Sequence, residues 1–162
     1  MRLLSEHDRA LRRLAASYER DAARQQDLVQ EIWLAVWQAL PRFRGDCSER
    51  TFIFRIAHNR AVSHIDYAQR RRAEPLDEDA PIAAAGADPE LSLSQQQRSA
   101  RLHAAVQELP IAMRQVVVLT LEGLTNAEVA DIVGTTENNV AVRLTRARAA
   151  LTRALNVQGE PS

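Results

Sequence analysis

The 162-residue chain contains no lysine; all 21 of its basic residues are arginine. A planar guanidinium fork suits phosphate oxygens and guanine edges, so this bias fits contact with nucleic acid. A genome that favours arginine codons accounts for it equally. Cysteine occurs once, as Cys47. That excludes an internal disulfide framework and fits a reducing compartment. Glycine (five residues) and aromatic residues (4%) are sparse while alanine is plentiful, which favours helices over sheets. Long apolar runs are missing too. The opening MRLLSEHDRALRR lacks the hydrophobic stretch of a secretory signal, and no segment approaches a membrane span. A cytoplasmic protein without membrane insertion is expected. No glycine-rich phosphate loop, zinc-ligand spacing or nucleophile motif occurs, and His7, His58, His64 and His103 are scattered. No catalytic residue, metal or cofactor is therefore expected, and the chain does not read as an enzyme.

The formal net charge is 0, which on its face argues against nucleic acid. The distribution says otherwise. Residues 1–72 hold 14 arginines against nine acids, residues 73–95 hold six acids and no base, and residues 96–162 hold seven arginines against six acids. A basic N-terminal part and an acidic middle are hidden in the neutral total.

What is present is organised around Leu124 to Leu155, LTNAEVADIVGTTENNVAVRLTRARAALTRAL. Thr125 followed by Glu128 makes a capping box. Val129, Ile132 and Val133 give a short helix one apolar face. Gly134 sits where the chain must turn, and Thr135 or Thr136 can cap the next helix. Val140, Leu144, Ala147 and Leu151 form the apolar stripe of that second helix. Its other faces carry Asn138, Asn139, Arg143, Arg146, Arg148 and Arg153. Cap, turn, stripe and Asn/Arg faces together have the layout of a helix-turn-helix, whose second helix meets base edges and phosphates. An αα-hairpin with solvated arginines is the plainer reading of the same pattern.

The rest of the chain reads as helices and one linker. Leu3 to about Tyr18 is a helix that Ser5 can cap, with Leu11, Leu14, Ala15 and Tyr18 as its stripe. Gln26 to Leu40 is a helix with two adjacent apolar faces: Leu28, Ile32, Ala35, Val36 and Ala39, and then Val29, Trp33, Trp37 and Leu40. One face suffices to join a small core. The second implies either burial on both sides or a docking partner. Pro41 ends this helix, and Arg42 to Arg50 is a polar loop. Thr51 to Tyr67 returns to helix, with Phe52, Ile56, Ala57 and Ile65 as buried candidates. Its polar surface, Arg55, His58, Asn59, Arg60, His64, Tyr67 and Arg70 to Arg72, mixes arginines with a ring, which suits a single strand. A solvated face is the alternative. Residues 73 to about 95, with Pro75, Pro81, Pro89 and clustered acids, read as a linker. Arg98 to Leu109 is a helix through Leu102, Ala105, Val106 and Leu109. Pro110 opens the next, with Met113, Val116, Val117 and Leu121 facing a core and Gly123 ending it.

The expected architecture is all-α: two small helical domains joined by an acidic flexible linker. The boundaries are 1–72, a linker over 73–97, a second domain over 98–156, and a tail over 157–162.

This arrangement resembles a bacterial RNA polymerase sigma factor, and more narrowly the extracytoplasmic-function subgroup of the sigma-70 family. DLVQEIW (Asp27 to Trp33), RFRGD (Arg42 to Asp46), FRIAHNRAVSHI (Phe54 to Ile65) and NNVAVRLTRARAAL (Asn138 to Leu151) carry the resemblance. It runs from about Glu6 to Arg72 and from about Arg98 to Leu155. Phe52-Ile53 stands where members often carry Trp-Leu, and Gln26 and Ser63 stand where they often carry an acid. The resemblance implies that residues 1–72 are sigma region 2 and residues 98–156 region 4. It implies that Asp27, Gln30, Glu31, Leu34 and Trp37 bind the clamp helices of the polymerase largest subunit, and that the flap of the second-largest subunit is a further contact. It implies that Phe43, Arg44 and Asp46 capture a flipped base of the −10 element, with Arg55, Asn59, Arg60 and His64 on the melted strand and nearby duplex. Thr136, Glu137, Asn138, Asn139 and Arg143 would read the −35 element, with Arg146 and Arg148 on phosphates. Promoter DNA, core polymerase and an anti-sigma factor are the implied partners. The alternative is a helix-turn-helix regulator that binds duplex DNA without polymerase.

Overall fold

The computed structural model describes residues 2–72 and 92–159. Seven α-helices and one short 3-10 turn make up these residues, with no strand among them. They fall into two compact units, each with its own core.

In the first unit, α1 (Arg2–Tyr18), α2 (Ala22–Ala39) and α3 (Glu49–Arg72) pack on one another. Leu11, Leu14 and Ala15 of α1 meet Leu28, Ile32 and Val36 of α2 and Ile53, Phe54, Ala57 and Ala61 of α3 in the buried interior. Ser5 does not cap α1; it lies inside the helix, and its hydroxyl donates to the Arg2 carbonyl at 2.9 Å. The break between α1 and α2 is set by Asp21, whose carboxylate accepts from the Ala23 N–H at 2.9 Å. A carboxylate cap satisfies one of the four N–H groups that a helix start leaves unpaired. The 3-10 turn Leu40–Arg42, with its proline, ends α2.

Ser48 caps α3, accepting from the Thr51 N–H at 3.1 Å, so the helix begins two residues before the sequence pattern places it. Its buried register differs as well. Ile53, Phe54, Ala57 and Ala61 are buried, while Phe52, Ile56 and Ile65 are half-buried. Phe52 instead packs against Phe43 across the loop, ring centroids 4.7 Å apart.

The second unit comprises α4 (Leu93–Glu108), α5 (Ile111–Leu121), α6 (Asn126–Val133) and α7 (Glu137–Gly159). A capping box between Ser92 and Gln95 starts α4 five residues earlier than the expected Arg98. The sequence pattern favours Arg98 because residues 93–97 are mostly polar and carry no apolar stripe. In α5 the buried run is Val116, Val117, Val118 and Leu119, and Leu121 is 62% exposed, contrary to the expected stripe. Leu102 of α4 is also exposed. The expected tail is helical through Gly159. The three prolines and clustered acids of the proposed linker lie outside the described residues.

The capping box expected at Thr125 is present, with Thr125 Oγ1 accepting from the Glu128 N–H and Glu128 from the Thr125 N–H. Gly134 takes the left-handed conformation, φ 81° and ψ 43°, that stops α6. Thr136 Oγ1 then accepts from the Asn139 N–H at 3.1 Å and starts α7. An L side chain at Gly134 would meet no neighbour, so its cost is purely conformational. Gly134→Ala should therefore destabilise the α6–α7 turn by about 1–2 kcal/mol. Faster amide hydrogen exchange in α6 and the first turn of α7, with α1 to α3 unchanged, is the expected readout.

Candidate nucleic-acid and partner-binding surfaces

Three surfaces collect the candidate residues. The first lies on α7. Val140, Leu144 and Ala147 are buried and fix which way the helix faces. At 100° per residue, Asn139, Arg143 and Arg146 follow one another along one flank of that buried line. Arg153, absent from the expected contacts, falls on the same flank one heptad after Arg146. Thr136, Glu137 and Asn138 are exposed at the helix start, and Arg148 projects from the opposite flank with Glu137. Asn139 has a structural duty too: its Nδ2 donates to Thr135 Oγ1 at 2.7 Å. That bond ties the first turn of α7 to the residue after Gly134.

The second surface lies on α3 and the loop before it. Arg44, Gly45 and Asp46 are exposed, and Gly45 has a positive φ of 79° that lets the loop reverse. Phe43 is half-buried against Phe52 and so anchors the loop. Arg55 and Asn59 lie one turn apart on the outward side, whereas Arg60, Tyr67 and Arg71 follow a neighbouring flank. The Arg71 guanidinium sits 5.6 Å from the centre of the exposed Tyr67 ring.

Two histidines of α3 do not lie on this open surface. His58, expected among the polar surface residues, is 5% exposed, and its Nδ1 has no hydrogen-bond partner among the described residues. Burial lowers its pKa from the usual 6.5 to about 4, so it stays neutral. His64 faces the α1–α2 corner. Its Nε2 lies 2.6 Å from Glu19 Oε2, both side chains being largely covered. Glu19 Oε1 accepts from the Asp21 N–H at 3.0 Å, so a single carboxylate joins the helix corner to α3. The hydrogen bond to Glu19 raises the His64 pKa; burial and Arg24 oppose this, and the charges of Glu19 and Glu31 assist it. For Glu19, burial acts upward, but the bonds to His64 and Asp21 and the charges of His64 and Arg24 outweigh it and leave the pKa lowered.

The third surface lies on α2. Val29 is buried, and Trp33 is half-buried with its indole N–H donating to Asp8 Oδ1 at 3.2 Å. The second apolar face expected from sequence is thus mostly used inside the unit. What remains outside is Leu34, 58% exposed, and Trp37, 71% exposed. Asp27, Gln30, Glu31 and Leu34 line a shallow open depression one turn before Trp37. Positions 27, 30, 31, 34 and 37 recur at helical spacing, so acid, amide and apolar groups share one outward stripe.

Comparison with known proteins agrees with this geometry. The family Sigma-70 region 2 matches residues 3–71, and Sigma-70, region 4 matches residues 99–151. RNA polymerase sigma factor NccH of Alcaligenes xylosoxydans xylosoxydans is 32% identical over 158 residues, covering 94% of this chain and 84% of that protein. ECF RNA polymerase sigma-E factor of Escherichia coli is 35% identical over 136 residues, covering 77% and 70%. Among solved structures, CnrH in complex with the cytosolic domain of CnrY superposes with a TM-score of 0.69 at 26% identity, covering 96% of this chain and 86% of that one. The fold of the sigma factor RpoE from Bartonella quintana, in complex with the anti-sigma factor NepR, superposes with a TM-score of 0.79 at 23% identity, covering 96% of both. The chain belongs to the extracytoplasmic-function subgroup of the sigma-70 family of RNA polymerase sigma factors.

The histidine environments set opposing pH responses in the first unit. The raised pKa of His64 gives a contribution that is full below 6.5 and fades as pH rises through its folded value. The lowered pKa of Glu19 gives one that is present above its usual 4.5 and fades as pH falls. His58, lowered to about 4, favours folding above 6.5 and opposes it increasingly as pH falls toward 4. Between pH 7 and pH 5 the His58 effect alone costs about 2 kcal/mol. Both tryptophans, Trp33 and Trp37, lie in this unit, so their fluorescence during urea unfolding reports it alone. His58→Leu should remove most of the loss on acidification, and Glu19→Gln should weaken the decline above pH 6.5.

Proposed function

We propose that this sigma factor brings core RNA polymerase to promoters and assists their opening, performing no bond chemistry itself. The observation that carries the proposal is the α2 stripe. A large aromatic held outside a well-packed three-helix unit marks a surface that a partner covers. Trp37 and Leu34 supply the apolar anchor, and Asp27, Gln30 and Glu31 supply polar contacts around it; the clamp helices of the polymerase largest subunit fit as the partner, with the flap of the second-largest subunit as a second contact. Residues 1–72 then act as region 2, residues 98–156 as region 4 and residues 73–97 as their linker.

On DNA, α7 enters the major groove at the −35 element. Thr136, Glu137, Asn138, Asn139 and Arg143 face bases, and Arg146 with Arg148 take phosphates on either flank. Arg153 extends the phosphate contact. The loop carrying Phe43, Arg44 and Asp46 captures an unstacked base of the −10 element, and Arg55, Asn59 and Arg60 follow the opened strand. His64 contributes by holding α3 against Glu19. Captured bases offset the work of opening, each stacked base contributing roughly 1–3 kcal/mol. An anti-sigma factor fits as a regulatory partner, since CnrH and RpoE are each solved with a bound protein. The site of action is the cytoplasm.

Run-off transcription with purified core polymerase and genomic DNA of the source organism tests this directly. Discrete start sites that depend on the protein are expected; tight duplex binding without transcripts would favour a polymerase-independent regulator instead. Trp37→Ala should weaken core binding by about 2 kcal/mol, roughly 30-fold, the scale of a buried aromatic anchor. Arg143→Ala should leave core binding intact and lower transcription from a dependent promoter about tenfold, the scale of a lost base contact.

A further inference from the structure

Glu6 and His7 lie in the second turn of α1, and Glu49 is the first residue of α3. One donor atom from each lies within 4.8 Å of the other two, which is the only such trio among the described residues. Adjacent residues on a helix point about 100° apart, so Glu6 and His7 converge only because α3 starts between their directions. None of the three belongs to the surfaces described above.

The donor set decides what could sit there. One imidazole and two carboxylates suit borderline divalent transition ions, and the lack of a thiolate disfavours soft ions. Zinc takes these donors at about 2.0–2.2 Å, so donors sharing one ion stand roughly 3–4 Å apart, a range that the trio's 4.8 Å limit includes. Glu6 is exposed and the other two side chains are half-buried, which leaves their ends room to rotate onto an ion. The competing partner is weak: Arg2 Nε lies 3.5 Å from Glu6 Oε1 in an exposed pair. Such pairs contribute little and exchange readily.

We propose that Glu6, His7 and Glu49 form a divalent transition-metal site that clamps the start of α1 to the start of α3. Three protein donors leave positions open for water, as in accessible zinc sites. Glu49 follows Ser48, the cap of α3 and the last residue of the 43–48 loop. A bound ion therefore fixes the base of that loop, whatever the loop itself contacts.

Calorimetric titration of the full chain with zinc chloride at neutral pH tests the site. One equivalent of Zn²⁺ should bind, and the urea midpoint read by tryptophan fluorescence should rise with zinc and not with Mg²⁺. His7→Ala and Glu49→Gln should each weaken binding by at least about tenfold, the lower end of what loss of a mere outer-shell partner does. Arg2→Ala should tighten it by removing the competitor for Glu6, whereas Cys47→Ser and His103→Ala should leave it unchanged. No zinc binding by the wild-type chain overturns the proposal, and so does undiminished binding in both His7→Ala and Glu49→Gln, which would put the ion on other groups.

Discussion

A helix of eight residues does not hold itself together in water, because nucleation is unfavourable and too few hydrogen bonds follow it. The second unit depends on how α6 escapes this limit. Its start is closed reciprocally by Thr125 and Glu128, its end is stopped by Gly134, and Val129, Ala130 and Ile132 are buried against its neighbours. The two threonines after Gly134 complete the fixing, one through the backbone of α7 and one through the side chain of Asn139. The direction of α7 is thus constrained by local hydrogen bonds as well as by its packing on α4 and α5.

The first unit solves a different problem. Its helices are longer and share a broad apolar core, so polar bonds are left to set orientation. Asp8 holds both Trp33 of α2 and Arg12 of its own helix, the latter at 2.6 Å. Glu19 holds the α1–α2 corner and His64 of α3 together. These ties pin α2 so that its interior face is filled, and they leave Leu34 and Trp37 outside.

Much of this was legible in the sequence. The capping box at Thr125, the turn at Gly134 and the Val140–Leu144–Ala147 line follow from periodicity and cap chemistry, and all are present. What periodicity handled less well were apolar runs without polar interruption. In α5, VVVLTL offers several faces at once, and only the packing of α4, α6 and α7 selects Val116 to Leu119 over Leu121. In α3, TFIFRIA is similarly ambiguous, and the Phe43–Phe52 contact, which sends Phe52 toward the loop, involves a partner nine residues away. The second face of α2 left burial and docking open, and the hydrogen bond that places Trp33 on the buried side spans 25 positions to Asp8. His64 and Glu19, 45 positions apart, carry no sequence signal of their pairing. The trio of Glu6, His7 and Glu49 escaped a search for ligand spacing for the same reason: its third member comes from another helix.

The separation of duties on α7 has an evolutionary consequence. Residues that hold the helix in place, Val140, Leu144 and Ala147, share no positions with Asn138, Arg143 and Arg146 on its outer sides. Substitutions on those outer sides change chemistry without opening a cavity, so they act on stability only weakly. With those positions reading DNA as proposed, a duplicated copy of this gene could drift toward new target sequences while its product kept folding. Asn139 and Thr136 are the exceptions, because the side chain of each also holds the turn. At these two positions drift in preference and loss of fold are coupled, and they should be the slowest to change.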